Sequence, residues 1–517
     1  MLSSSVKLFK TRDKKRDKFV DRKYTFPKQK YLIVNPSGVS ITLSGGGTRS
    51  YTASCGYIGM LTRMGLMKKI QYISTVSGGG WFAAPYIFKD IGLGSYKKPE
   101  ELTMLSLETD NFDNPMFFGK VCVKFPLFDR LLEGRHFCKK QDIWNYSVSK
   151  CLLEPFDLHE KVPVISQRRV MQLNDNDGLV IENGTVEDRF VCPLPRRPFW
   201  IANSAILCDN GAVPFSMTPM YSGIPKKVKI GNNIIGNYFI ETMGVGMSKP
   251  DIRLSDFIYH TSVEVKGERH FTIGDMIGTS SAAFSFFSEK LANKIGNVLG
   301  TVGYDLYEID PEYNMWCLDN DNDQSAHYDV KLVDGYRANN TGILPLLARG
   351  CKKILMFVNN LSIRKNYCNT DLYELFGICS QNCNFPGLTD TVKVFNEDDW
   401  NKMEEQFEDH KIDGGPVYCR VTLQVLENKH NCIKGGYDVE LLIYLLYPSQ
   451  NFIDRLPSEI ASEIKKDGKF DHFPNYRTVF QNDDLISEYT PEQFNLLFYY
   501  TQWCLKETED IVRDFCN

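Results

Sequence analysis

The chain has 517 residues, 43% of them apolar and 24% charged, and a net charge of −4. This is a globular composition with material for a large core, and it excludes a collagen-like, low-complexity or disulfide-scaffold chain. The fifteen cysteines are scattered, and the nearest cluster, Cys368, Cys379 and Cys383, has no second pair to complete a zinc site, so reduced, mostly buried thiols are expected.

Residues 1–30 carry eleven Lys or Arg against three Asp, a local charge of +8 that leaves −12 on the remainder. Such a segment reads as a solvated, disordered arm, with a weak anchor for an anionic membrane surface as the alternative. The charged start is not followed by an apolar stretch, so no secretory signal is expected, and no run reaches the ~20 apolar residues of a spanning helix. "GVSITLSGG" (38–46) has the β-branched residues of a strand and ends at glycines. "SYTASCGYIGMLTRMGLMKKI" (50–70) then has apolar residues at helical spacing, with Lys68 and Lys69 in the last turn. "QYISTVS" is a second strand, and "GGGWFAAPYIFKDI" begins a second helix. Strand, helix, strand, helix with short joints predicts a βαβ arrangement and a sheet that is parallel in part. About 240 residues of insertions and further strands follow before the same grammar returns in "DVKLVDGYRANNTGILPLLARGCKKILMFV" (329–358). No internal repeat is visible.

A serine between a strand and a helix, with glycines behind it, is a nucleophile-elbow arrangement. Ser77 stands there, with Gly79 at the small position two residues on and Thr75 where a glycine is usual two residues before. In "LSGGGTRS" (43–50) consecutive backbone N–H groups can converge as an oxyanion hole, and Arg49 can hold a phosphate or steady the loop. The segment lacks the spacing and the lysine of a nucleotide P-loop, which weakens a phosphate- or nucleotide-binding reading. Of the eight histidines, His327 is nearest to a strand-end position, but an isolated histidine is usually structural. Asp334 follows an apolar strand and precedes Gly335, which places its carboxylate at a strand's C-terminal end as a candidate general base.

Taken together and in this order, "SGGGTRS", "ISTVSGGGW" and "LVDGYRANNTGILPLL" resemble the patatin superfamily, and most closely the catalytic domain of the group IV cytosolic phospholipases A2 and lysophospholipases. "PFSMTPMYSG" (214–223), "MIGTSSAAFSFF" (276–287) and the stretch 468–503 are similar to weaker family segments, so the resemblance covers about residues 31–517. It implies an α/β fold with a patatin-like three-layer core, a largely parallel central sheet, and helical and loop insertions forming a cap. It also implies a serine–aspartate dyad hydrolysing acyl esters of phospholipids or lysophospholipids through an acyl-enzyme. By this resemblance Ser77 is the nucleophile and Asp334 the base. The amides of Gly46 and Gly47 form the oxyanion hole, and Arg49 faces the phosphate. No metal, cofactor or nucleic-acid partner is expected; the reduced cysteines lead us to expect a cytoplasmic setting, with the basic segment as the candidate for peripheral contact with anionic membranes. No residues are left for the calcium-binding lipid domain of many relatives, so calcium-independent action is expected.

Thr75, Gly80 and Tyr336 depart from the family pattern, and the substitutions at Thr75 and Tyr336 keep a second reading alive: a lipid-binding protein with a decayed dyad, working as a membrane-surface or partner-binding module. The acidic stretch 319–330 lacks the glycine and glutamate of an EF-hand and reads as a surface loop. The aromatic stretch 114–132 reads as core packing, with a lid beside the site as the alternative.

Overall fold

Strands β1 (Leu2–Lys10), β2 (Val39–Leu43) and β3 (Ile70–Val76) come first, with helix α1 (Gly47–Arg63) joining β2 to β3 and helix α2 (Gly78–Phe88) directly after β3. A short pair, β4 (Val162–Pro163) and β5 (Phe190–Val191), follows. Next come β6 (Phe199–Cys208), β7 (Gly211–Met217), β8 (Ser222–Ile230), β9 (Asn233–Ile240) and β10 (His260–Gly267). Helix α3 (Ile273–Ser280) leads to β11 (Glu312–Met315), β12 (Tyr328–Asp334), β13 (Lys353–Val358), β14 (Tyr418–Val425) and β15 (Tyr437–Leu445), and helix α4 (Pro491–Glu507) lies near the C-terminal end. The structure, a computed structural model, describes residues 2–10, 38–114, 117–123, 126–166, 168–169, 189–209, 211–250, 260–283, 309–317, 327–359, 372–378, 391–477 and 488–517.

Among the described residues one thirteen-stranded sheet runs β10-β1-β9-β8-β7-β6-β3-β2-β13-β15-β14, with β12 and then β11 branching from β6. Its centre, β6, β3, β2, β13 and β15, is parallel throughout. Parallel strands need both faces covered, and their sequences show it. In β13, "KILMFV", Leu355 and Phe357 enter a core shared with Tyr57, Phe82 and Trp503 of α1, α2 and α4. Ile354, Met356 and Val358 enter the opposite core, with Trp400, Met403 and Phe407 of the helix Asp399–Ile412. Alternation along one apolar strand thus builds a three-layer α/β/α body, as expected. Beyond β6, strands β7, β8, β9, β1 and β10 extend the sheet as an antiparallel ribbon, and β14 lies antiparallel to β15 at the other edge.

Two features differ from the sequence reading. β12 and β13 do not form a second parallel unit, because β12 pairs antiparallel with β6 and so opposes β3 and β13. Along one edge β6 pairs first with β3 (through Val76↔Asn203) and then with β12 (from Asp334↔Ser204). The C-terminal ends of β3 and β12 therefore meet head-on at the middle of β6.

The second difference is at the N-terminus. A disordered arm over residues 1–30 does not hold for residues 2–10, which form β1 between β9 and β10. Ser4, Val6 and Leu8 alternate inward and are buried, and the Ser4 hydroxyl meets His270 Nε2 at 2.7 Å. A buried Arg169–Glu241 pair receives the backbone, with Arg169 Nη2 donating to the Ser5 carbonyl (2.7 Å) and the Lys7 amide donating to Glu241 Oε2 (3.1 Å). The rest of the basic segment, from residue 11 to residue 30, lies outside the described residues.

The twelve described cysteines form no disulfide among themselves, and eight are buried. Phe117 and Phe118, from the aromatic stretch, are core residues, stacked edge-on or tilted against Phe494, Phe498 and Phe82. That is the packing reading rather than the lid. Cys368, Cys379, Cys383, most of the acidic stretch 319–330, and the segment 478–487 lie outside the described residues. No helix among the described residues is long and apolar enough to cross a membrane.

Candidate active site

Ser77 leaves β3 with φ 49° and ψ −122°, a backbone region that non-glycine residues avoid unless the surroundings enforce it. The enforcement is contact between backbones. A Cβ on Gly78 would stand 2.1 Å from the Gly47 carbonyl oxygen, and one on Gly79 would stand 2.5 Å from the Leu43 carbonyl oxygen. The glycines behind the serine are clearance for β2 and the start of α1. The turn then closes as the amides of Gly80 and Trp81 bond to the Ser77 carbonyl (2.8 and 3.2 Å). Thr75 keeps its place because its hydroxyl accepts the Trp200 indole N–H at 2.9 Å, a use no glycine could serve.

The loop after β2 lies across this elbow. Gly45 is clamped from the far side, its amide meeting both the side-chain and main-chain oxygens of Asn340 (3.0 and 3.2 Å). α1 then starts at Gly47 with no side-chain cap, so its first amides need partners from outside the helix. Ser77 and the Gly46–Gly47 pair are partly exposed within runs of buried residues. Backbone donors at a helix start beside an accessible hydroxyl can stabilise a developing oxyanion.

Asp334 reaches the serine because the two strand ends meet on β6. Its Oδ1 accepts the Tyr336 amide at 2.9 Å, and the Ser77 hydroxyl lies near enough to the carboxyl to favour its charged form. Tyr336 acts here through its backbone, so its unusual side chain does not disturb the contact. Asp334 is only 4% exposed. Burial raises its pKa from 3.8 to about 7, against the opposing pull of the Tyr336 amide, the Ser77 hydroxyl and the charge of Arg337. A base held near neutrality beside a hydroxyl suits proton transfer in both directions.

Arg49 is placed differently from the phosphate contact that the resemblance implies. It is 4% exposed, with Nε donating to the Asn359 carbonyl (2.8 Å) and Nη1 to the Tyr476 carbonyl (3.0 Å). This is the loop-steadying alternative: the guanidinium ties the start of α1 to the residue just after β13 and to Tyr476, far along the chain. His327 stands one residue before β12, so an extended strand of ~3.3 Å per residue separates it from Asp334 by about 20 Å. Sequence reasoning missed Ser280, Asn203 and Asn340, which hold the elbow and its loop from outside. Only the small-residue run "GTSSA" hinted that a backbone would be approached closely there. A cleft of about 400 Å³ is lined by Lys393 and residues Leu426 to His430, none of which belongs to this site.

The body is thus a three-layer α/β fold that brings an elbow serine and a buried aspartate together at two strand ends. No family model matches the sequence, and no curated protein matches it significantly. Among solved structures, human GIVD cytosolic phospholipase A2 is similar over 93% of this chain and 62% of that one, at 13% identity and a TM-score of 0.49. The same human protein with methyl gamma-linolenyl fluorophosphonate inhibitor and terbium chloride is similar over 93% and 59%, at 14% identity and a TM-score of 0.45. With the fluorophosphonate alone the figures are 93% and 58%, 13% and 0.44. This chain therefore spans about three fifths of the length of the chains it resembles.

Proposed function

We propose that the chain is a serine acyl hydrolase that cleaves fatty-acyl esters of phospholipids or lysophospholipids. The observation that carries the reading is the meeting of a strained elbow serine and a buried aspartate at the head-on ends of two strands, the aspartate with its pKa raised to about 7. The lipid class is supported by the resemblance of the sequence motifs alone. Ionised Asp334 takes the Ser77 proton as Oγ attacks the ester carbonyl carbon, and the amides of Gly46 and Gly47 receive the oxyanion. The C–O bond to the glycerol oxygen breaks as Asp334 returns the proton to that oxygen. Asp334 then takes a proton from water, whose oxygen attacks the acyl-enzyme, and Ser77 leaves reprotonated with the fatty acid released. Arg49 is assigned to holding the loop that presents the amides.

The test is labelling with a serine-reactive fluorophosphonate, followed by mass spectrometry of products released from a mixed lipid extract. Expected are a single adduct on Ser77 and free fatty acid with the matching lysolipid or glycerophosphodiester. A folded protein that neither labels nor releases fatty acid would overturn the reading in favour of a non-catalytic lipid-binding module.

A further inference from the structure

β3 and β12 are not hydrogen-bonded to each other and meet only through β6, so pairing alone leaves the Ser77–Asp334 spacing to one shared neighbour. Three consecutive residues at the end of α3 supply the missing constraint. The Ser77 amide is shared between the Ser280 carbonyl (3.2 Å) and the Ser280 hydroxyl (3.1 Å). That hydroxyl in turn donates to the Asn203 carbonyl at 2.6 Å, on the β6 residue in register with Val76. The Ser281 hydroxyl accepts the indole N–H of Trp81, in the first turn of α2, at 3.0 Å. The Ala282 carbonyl accepts the Asp334 amide at 2.8 Å. One short segment therefore grips the serine, the helix behind it and the aspartate.

The grip has a firm base. In the first turn of α3, buried Asp275 accepts from Arg269 Nη2 (2.8 Å), Asn145 Nδ2 (3.0 Å), the Tyr313 hydroxyl (2.9 Å) and the Thr272 amide (2.8 Å). A buried carboxylate that accepts this many bonds from separate elements holds its helix in one position. The other end of the helix is then a fixed point against which both reacting side chains are set. Reactive groups must be held to a fraction of an ångström, since a misplacement of about 1 Å can cost ~10²-fold in rate.

We infer that Ser280–Ala282 is a clasp that sets the distance between Ser77 and Asp334, with Ser280 as its positioning residue. The kinetic part of its test rests on the hydrolase reading; the hydrogen-exchange part does not. Ser280→Ala removes the hydroxyl while leaving the carbonyl, Ser280→Thr restores a hydroxyl, and Trp81→Phe loosens the clasp at its second contact with little change in shape. On a soluble nitrophenyl ester, Ser280→Ala should lower kcat about tenfold, the effect of one lost hydrogen bond, with KM unchanged. Ser280→Thr should recover most of that rate, and Trp81→Phe should lose rate in the same direction. Amide exchange in peptides covering 74–81 and 331–337 should quicken together in Ser280→Ala and in Trp81→Phe. Wild-type kcat in Ser280→Ala, or a rise in KM in place of a fall in kcat, would overturn the clasp. If the wild type proves to have no ester activity, the hydrolase reading fails and exchange alone decides: quickening at both segments supports the clasp, and unchanged exchange at either one overturns it.

Discussion

Asp334→Asn separates stability from activity in a way that follows from burial. The carboxyl titrates at about 7 in the folded protein against an ordinary 3.8, and it is almost fully buried. Its pKa is raised on folding, so its contribution is intact below pH 3.8 and is progressively lost as pH rises to 7, because the unfolded chain ionises first. At 1.36 kcal/mol per pH unit, the loss is on the order of 2 kcal/mol at pH 5 and on the order of 4 kcal/mol at pH 8. Asparagine has no charge to bury and keeps an oxygen for the Tyr336 amide and the Ser77 hydroxyl. The variant should therefore be more stable than wild type, and its advantage should grow by about 2 kcal/mol between pH 5 and pH 8. Urea unfolding of both proteins at the two pH values measures this directly. The same variant should lose at least ~10²-fold in turnover, since no base remains. An advantage that is equal at both pH values, or a wild type no less stable than the variant at pH 8, would refute the assignment of a neutral-range pKa to this carboxyl.

The ionised form of Asp334 is the one that accepts a proton, so kcat/KM should climb with pH to a plateau, with a lower-limb pKa of about 7; a limb near 4 would place the base in a solvated carboxylate. Ser77→Gly and Ser77→Ala should both abolish turnover, while glycine, which accepts φ 49° freely, should be more stable than alanine by about 1–2 kcal/mol. Activity above a few percent in either variant would move the nucleophile elsewhere. Arg49→Ala leaves two buried carbonyls without their donor and should depress hydrolysis of a phospholipid and of a neutral nitrophenyl ester alike; a loss confined to the phospholipid would return Arg49 to the phosphate. Deleting residues 2–10 strips a strand from between two others and should lower the thermal midpoint by several degrees in calorimetry, an outcome that a solvated arm would not give.

What was legible in the sequence was local. Ser77 and its glycines, and Asp334 with Gly335, sit in short patterns whose steric meaning does not depend on distant partners. The alternation of strand and helix from 38 to 88 also fixes the parallel centre, because a strand–helix–strand unit with short joints closes in one way. Strand direction at β12 was not legible: it depends on pairing with β6, more than a hundred residues earlier, and "LVDG" reads the same in either orientation. The role of Arg49 was not legible because a cation at a helix start suits a phosphate and two backbone carbonyls equally well, and only tertiary packing chooses between them. β1 was hidden by arithmetic. Counting charge over thirty residues averaged away "SSVKLF", where a two-residue period of inward side chains marks a strand.

The place of β1 also sets an order of events during synthesis. Its partners β9 and β10 begin at Asn233 and His260, so about 220 residues are translated after Lys10 before the first of them appears. At ~5–20 residues per second, that interval is roughly 10–45 s. Throughout it, Val6, Leu8 and Phe9 lack the two strands that pair with β1. A segment with a strand's pattern and no mate is a template for pairing with another chain. The lysines at positions 7 and 10, and the dense positive charge from 12 to 23, stand beside that segment while it waits. Like-charged nascent chains repel one another, so the charge that masks β1 in the sequence also opposes its pairing with a second copy.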